Sequence, residues 1–184
     1  MAMLGAMVEV VIRDMRAEDE DALLDLLEQV AAERRWIARE PPVDRTQSRA
    51  RLRAGTAQDG FVGLVAEIGT QVVGHIWLAP TPYGVAELGM MLAPSWRGRG
   101  IGTKLVATGV ERARRLGAHK IALEVWPHNA AAMALYDKAG FVEEGRLRRH
   151  YRRANGELWD AVVMGLVLDE DQAMDQPGSP SARR

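Results

Sequence analysis

The chain has no cysteine in its 184 residues. That excludes disulfides, thiolate metal sites and a cysteine nucleophile, and it fits a reducing cytosol, so the expected location is cytoplasmic. An excess of either charge is also missing. The 24 Lys and Arg stand against 25 Asp and Glu, which argues against a general nucleic-acid or membrane binder. No apolar run approaches the roughly 18 residues needed to span a bilayer. The opening MAMLGAM lacks a basic segment and is not expected to act as a signal peptide. The four histidines are scattered without ligand spacing, so no metal is expected. There is no internal repeat and no linker long enough to divide the chain. With 47% apolar and 27% charged residues, the composition is that of a globular domain able to bury a substantial core. The expected layout is a flexible N-terminus at 1–7, one domain at 8–168, and a disordered tail at 169–184, where DEDQAMDQPGSPSARR shows no apolar period.

Periodicity assigns the elements. Val8 to Met15 is short and β-branched, a first strand. Leu23, Leu26, Leu27, Val30 and Ala31 form one face of an amphipathic helix whose start, Glu18 to Asp21, is acidic. After Pro41 and Pro42, Asp44 and Gln47 are spaced as a capping box for a second, arginine-rich helix with little apolar face, read as a surface helix or lid. Phe61 to Ile68 and Gln71 to Ala79 form a hairpin about Gly69-Thr70, and Val85 to Leu92 is a further strand. Ile101 to Leu116 is a helix stopped by Gly117, Lys120 to Trp126 a strand, and Asn129 to Ala139 a helix stopped by Gly140. Phe141 to Arg153 and Glu157 to Leu168 close the chain as a hairpin about Asn155-Gly156, a type I′ signal. The order β-α-α-β-β-β-α-β-α-β-β predicts a mixed α/β fold, with parallel pairing in its middle and antiparallel hairpins elsewhere.

The stretch Arg97-Gly98-Arg99-Gly100-Ile101-Gly102-Thr103 stands between a strand ending at Pro94 and a helix. Three glycines in five residues clear side chains from the backbone, and the helix aims its free N–H groups and dipole at the loop. This arrangement holds a phosphate without a metal. A nucleotide P-loop needs Gly-Lys-Ser/Thr, whereas Lys104 follows Thr103 here. A dinucleotide fingerprint would open the first β-α unit, and this loop lies mid-chain. A ligand-free tight turn is the remaining alternative.

Two motifs narrow these choices. Arg97, Gly100 and Gly102, after Leu92-Ala93-Pro94, resemble the acyl-CoA pyrophosphate loop of the GNAT superfamily of N-acetyltransferases. Asn129, Ala132, Leu135, Tyr136, Gly140 and Phe141 resemble that superfamily's second signature. Val11-Ile12-Arg13 and Val73-Gly74-His75-Ile76 are similar but less specific. The resemblance spans roughly residues 8 to 168. It implies a mixed central sheet flanked by helices, with acyl-CoA in a gap between splayed strands. The amides from Arg99 to Thr103, with Arg97 and Gly98, are then expected to cradle the pyrophosphate. Met90, Met91 and Leu92 are expected to offer edge N–H and C=O groups to the pantetheine arm, as an added strand would. Asn129 would reach the arm's polar atoms while also serving as an N-cap.

Acetyl transfer from acetyl-CoA to a primary amine needs a base for the amine and a proton for the leaving thiolate. The resemblance implies Tyr136 as the acid, against its reading as a half-buried core tyrosine. The resemblance also points to Glu124, five residues before Asn129, and Glu87, in the strand before the loop, as candidate bases, against a water relay or plain solvent-facing strand positions. Their facing depends on strand parity, which a one-residue bulge of the kind the family carries would reverse. His75, beside Trp77, reads as a buried, hydrogen-bonded core residue. His128 reads as a loop cap, and His150 and Tyr151 as lining of an acceptor pocket. Arg146, Arg148, Arg149, Arg152 and Arg153 read first as a solvated hairpin face, then as a site for an acidic acceptor or a CoA phosphate. Trp36 and its neighbouring arginines lie where the family builds its acceptor lid. The expected activity is direct transfer to a small molecule, amino acid or protein N-terminus, with no covalent enzyme intermediate and no metal. The alternatives are another acyl donor, a non-catalytic acyl-CoA sensor, or RNA association, which would show salt-dependent retention. A homodimer through the final hairpin is compatible with this layout.

Overall fold

The computed structural model describes residues 9–168. The expectations for residues 1–7 and 169–184 lie outside the described residues. In chain order the elements are β1 (Val11–Asp14), α1 (Glu20–Ala32), α2 (Arg45–Thr56), β2 (Val62–Ile68), β3 (Gln71–Pro80), β4 (Val85–Leu92), α3 (Ile101–Arg115), β5 (Lys120–Val125), α4 (Ala130–Lys138), β6 (Val142–Arg152) and β7 (Leu158–Val167). This is the predicted order. Asp44 caps α2 by accepting the Gln47 N–H at 2.9 Å. No residue of α2 is buried; Arg45, Arg49 and Arg53 hold it to the acidic start and outer face of α1 through Asp25, Glu28, Asp21 and Glu20.

All seven strands form one sheet in the order β1-β2-β3-β4-β5-β7-β6. Only β4 and β5 pair in parallel. The second expected parallel neighbour is replaced: β7, not β6, lies antiparallel beside β5, and β6 takes the edge. Composition explains the choice. β6 is VEEGRLRRHYR and mostly exposed, whereas β7 is LWDAVVMGLV and brings Ala161, Val162 and Met164 into the core. The final turn is also corrected. Asn155 does not have positive φ while Gly156 does, at 88°. Arg153 N–H donates to Glu157 O at 2.8 Å, and Gly156 N–H donates to Arg153 O at 2.9 Å. This three-residue loop ends in a left-handed glycine rather than forming a type I′ turn.

Packing separates the two faces of the sheet. Gly74, Ile76, Leu78, Met90 and Leu92 meet α3 and α4 through Leu105, Gly109, Gly102 and Leu135. His75, Trp77, Glu87, Gly89 and Met91 alternate with them, and Met91 packs with Leu26 and Val30 of α1. The β3–β4 register runs without a shift from Pro80↔Ala86 to Gly74↔Leu92, so β4 carries no bulge. Pairing of β4 to β5 ends at Glu87↔Ala122, although β4 continues to Leu92 and β5 to Val125. The two strands part beyond that point, and the sheet opens there.

Candidate active site

A cavity of about 1140 Å³ occupies this opening. That exceeds the usual space for one small ligand and suits two substrates that meet. Because it passes between β4 and β5, residues of both faces line it. Met90, Leu92, Leu135 and Tyr136 come from the α3/α4 side, and Trp77, Glu87 and Glu124 from the α1/α2 side.

The glycine loop forms one wall. After Arg97 N–H donates to Pro94 O, the next backbone bond is Lys104 N–H to Gly100 O at 3.2 Å. The six amides from Gly98 to Thr103 therefore have no backbone acceptor among the described residues, at the positive end of a 15-residue helix. Gly98 and Gly100 take φ of 71° and 77°, and a Cβ at either would meet nothing within 4 Å. Gly102 differs, since a Cβ there would stand 3.0 Å from Leu135 Cδ2 and 3.4 Å from Leu92 Cδ1. It admits α4 and β4 rather than clearing room for an anion. The loop thus fits an anionic pyrophosphate.

Two expected ligand residues are otherwise engaged. The Arg97 guanidinium binds both oxygens of Glu33, at 2.8 and 2.6 Å, and donates to Leu92 O at 3.2 and 3.0 Å. It fastens the loop to the end of α1 and occupies the Leu92 carbonyl while still lining the cavity. Met91 is corrected by strand alternation. Ala93 N–H donates to Val73 O, so the odd residues of β4 bond to β3 while Leu88, Met90 and Leu92 turn their backbone groups toward β5. Met90 keeps both edge groups, Leu92 keeps its N–H, and Met91 offers only its side chain. Asn129 is the N-cap of α4, its Oδ1 accepting the Ala132 N–H at 3.2 Å, and it also lines the cavity.

Glu87 and Glu124 share a face, because Glu87 pairs with Ala122 and Glu124 lies two residues on. Tyr151 donates its hydroxyl to Glu124 Oε2 at 2.7 Å. Burial, then the Glu124 hydrogen bond and the charges of Glu124 and Glu87, push the Tyr151 hydroxyl up to about 12. A wide bulge aims this side chain. Four steps along β6 from Leu147 to Tyr151 oppose the two steps from Ala161 to Trp159, with Arg149 at φ 52° and its N–H on Asp160. Tyr136 is buried against Phe141 at 5.6 Å, and burial raises its hydroxyl to about 12.

Three sequence readings change. His75 is buried, yet its Nε2 has no hydrogen-bond partner among the described residues. Burial lowers its pKa to about 4, against a smaller opposing effect of Asp19. The neutral ring is therefore favoured in the folded state, and stability present above pH 6.5 drains away as pH falls toward 4. The shift corresponds to about 3 kcal/mol. Urea midpoints between pH 7 and 4 are expected to fall accordingly, and His75→Leu should flatten that window; an unchanged slope would remove His75 as its source. Below it, Asp19, held under its ordinary value by two hydrogen bonds from Arg13, adds a separate acid loss. His128 contacts Arg35 O at 3.0 Å and packs on Trp159. Arg153 leaves the solvated cluster altogether, being 4% exposed.

Comparison with known proteins agrees with this geometry. The acetyltransferase (GNAT) family model matches residues 21–141. The Escherichia coli L-amino acid N-acetyltransferase AaaT is 32% identical over 88% of this chain and 99% of its own. The ribosomal-protein-alanine N-acetyltransferase structure from Brucella melitensis is 32% identical, with a TM-score of 0.79 over 86% of this chain and 99% of that one. A phosphinothricin acetyltransferase from Sinorhizobium meliloti, solved in complex with acetyl-CoA, shares the fold at 21% identity and a TM-score of 0.79, over 94% of this chain and 93% of that one. With the amide-lined loop, the parted strands and the two signatures in place, the chain belongs to the GNAT family of acetyl-CoA-dependent N-acetyltransferases.

Proposed function

We propose that this enzyme acetylates a small primary amine that also carries a carboxylate, of the α-amino-acid class. The carrying observation is the make-up of the cavity on the α1/α2 side. Glu87 and Glu124 offer negative charge for an ammonium group, Leu24, Leu52 and Phe61 offer apolar wall, and Arg39 and Arg51 bring two guanidinium groups that pair with no carboxylate among the described residues. One amine, one carboxylate and one apolar side chain complement that set. The activity named for the E. coli relative supports the reading. Acetyl-CoA, as co-substrate, supplies an activated thioester and makes the cytoplasm the natural site of action.

The roles follow from position. The amides from Gly98 to Thr103 hold the pyrophosphate, and the free edge of Met90 and Leu92 aligns the arm. Glu124, oriented by Tyr151, takes the proton of the attacking amine, with Glu87 beside it steadying the ammonium form on arrival. Tyr136 stays protonated at every working pH. Full transfer to a free thiolate, whose thiol titrates near about 8.5, would run uphill, so its hydroxyl acts by donating a hydrogen bond as charge develops on sulfur. Tyr136→Phe is expected to lower kcat by about 10- to 100-fold with acetyl-CoA affinity retained; unchanged turnover would remove it from this role.

The test of the acceptor class is a panel of amino acids, their decarboxylated amines and polyamines, scored by release of CoA thiol. An apolar amino acid should exceed its decarboxylated amine by at least about tenfold in kcat/KM, the worth of one charge-assisted contact. Equal rates would overturn the carboxylate assignment.

A further inference from the structure

The guanidinium of Arg153 is the most enclosed charge of the final hairpin, with a side-chain exposure of 2%. Its partners all lie on the segment that joins α1 to α2. Nη1 donates to Ile37 O and Ala38 O at 3.2 and 3.3 Å, and Nη2 donates to Arg34 O at 3.2 Å and faces Glu40 Oε1 at 3.1 Å. Glu40 Oε2 accepts the Ala154 N–H at 2.7 Å, and His128 meets Arg35 O at 3.0 Å. Below the guanidinium lie Trp159, at 4.3 Å, and Trp126, at 5.8 Å. The joining segment is thereby laced to the β6–β7 hairpin along most of its length. On its inner side the same segment presents Trp36, Ile37, Ala38 and Arg39 to the cavity.

We infer that Arg153 sets the size of the acceptor: by clamping residues 34–40 to the β6–β7 hairpin it closes that side of the site, so the enzyme takes a free amino acid and rejects a polypeptide N-terminus. A chain continuing from the acetylated residue in this direction would have to displace several hydrogen bonds, three of them to a buried cation. Losing such bonds without replacement is costly. This inference rests on the amino-acid reading above, and it separates two activities named among the relatives, acetylation of a free amino acid and of a ribosomal protein. Arg153 touches no reacting group in this scheme; it is a positioning residue.

The experiment compares the best free amino acid with a tripeptide that begins with the same residue, in the wild type, Arg153→Lys and Glu40→Ala. The lysine variant keeps the charge but cannot span three carbonyls. Glu40→Ala removes the outer half of the clamp and leaves the buried cation, so the question stands even if Arg153 variants do not fold. The wild type should prefer the free amino acid. Each folded variant should reduce that preference by at least about tenfold, the scale of a lost charged contact, through KM for the amine and with KM for acetyl-CoA unchanged. A wild type that acetylates the tripeptide as well as the amino acid, or variants with an unaltered ratio, would overturn the inference while leaving acetyl transfer intact. Failure of every amino acid in the panel would instead overturn the acceptor reading beneath it.

Discussion

A Gly100→Glu variant is expected to fold and yet lose acetyl-CoA binding by about 100-fold or more, since placing like charge against a bound anion costs several kcal/mol and each 1.4 kcal/mol is about tenfold. The helix start concentrates positive potential at this loop through backbone groups. Its donors are the amides from Gly98 to Thr103, aligned by the first turn of α3. A carboxylate at position 100 would compete for those amides. Folding should survive, because a Cβ at Gly100 meets no atom within 4 Å. The remaining cost is backbone strain, as φ is 77° and an L-residue in the left-handed region loses about 1–2 kcal/mol. Gly100→Asn isolates that cost, because asparagine tolerates this conformation and brings no charge. Titration calorimetry with acetyl-CoA should find the Asn variant close to wild type and the Glu variant without measurable heat. Equal loss in both would assign the effect to backbone strain, and intact binding in the Glu variant would sink the pyrophosphate assignment.

Glu124→Gln is the second large effect. Turnover should fall by about 100- to 1000-fold, the usual worth of a positioned base, with acetyl-CoA affinity unaltered. The substitution preserves shape and leaves Tyr151 a hydrogen-bond acceptor at the same place, so the bulge in β6 has no reason to relax. What disappears is the ability to take a proton. Glu87→Gln should cost less. Glu87 has no hydrogen-bond donor holding it among the described residues, and its expected contribution is attraction of the ammonium group, seen in KM. Single-turnover kinetics at saturating amine separates the two. Equal losses of turnover in both variants would mean that the carboxylates share the proton; no loss in Glu124→Gln would move the base to Glu87 or to water.

Several features that organise this enzyme are local, and local features are legible. Glycines at 98 and 100 and the capping of α2 by Asp44 are decided within a few residues. So is the order of elements, because apolar period is a property of each segment alone. Together with the Asn129 to Phe141 signature these are enough for the fold class and the chemistry of acetyl transfer. Strand parity is less accessible. The family resemblance nominates Glu87 and Glu124 as bases, but that they face the same side requires the β4 register to run without a bulge.

What the chain alone determined, then, was the sequence of elements and a glycine-rich run of free amides at the start of α3, because glycine conformation, helix caps and free amides answer to near neighbours. Tertiary structure decided which groups those elements leave available. Met91 turns its amide toward β3 because pairing alternates, and Arg97 binds Glu33 from 64 residues away. Tyr151 reaches Glu124 across 27 residues, through a bulge that nothing in LRRHY announces. Arg153, one of five arginines alike in sequence, is buried because it meets carbonyls up to 119 positions earlier over two tryptophan rings. A side chain's charge is written in its own residue; the partner that neutralises, orients or buries it is supplied by distant segments that only the packed sheet brings together.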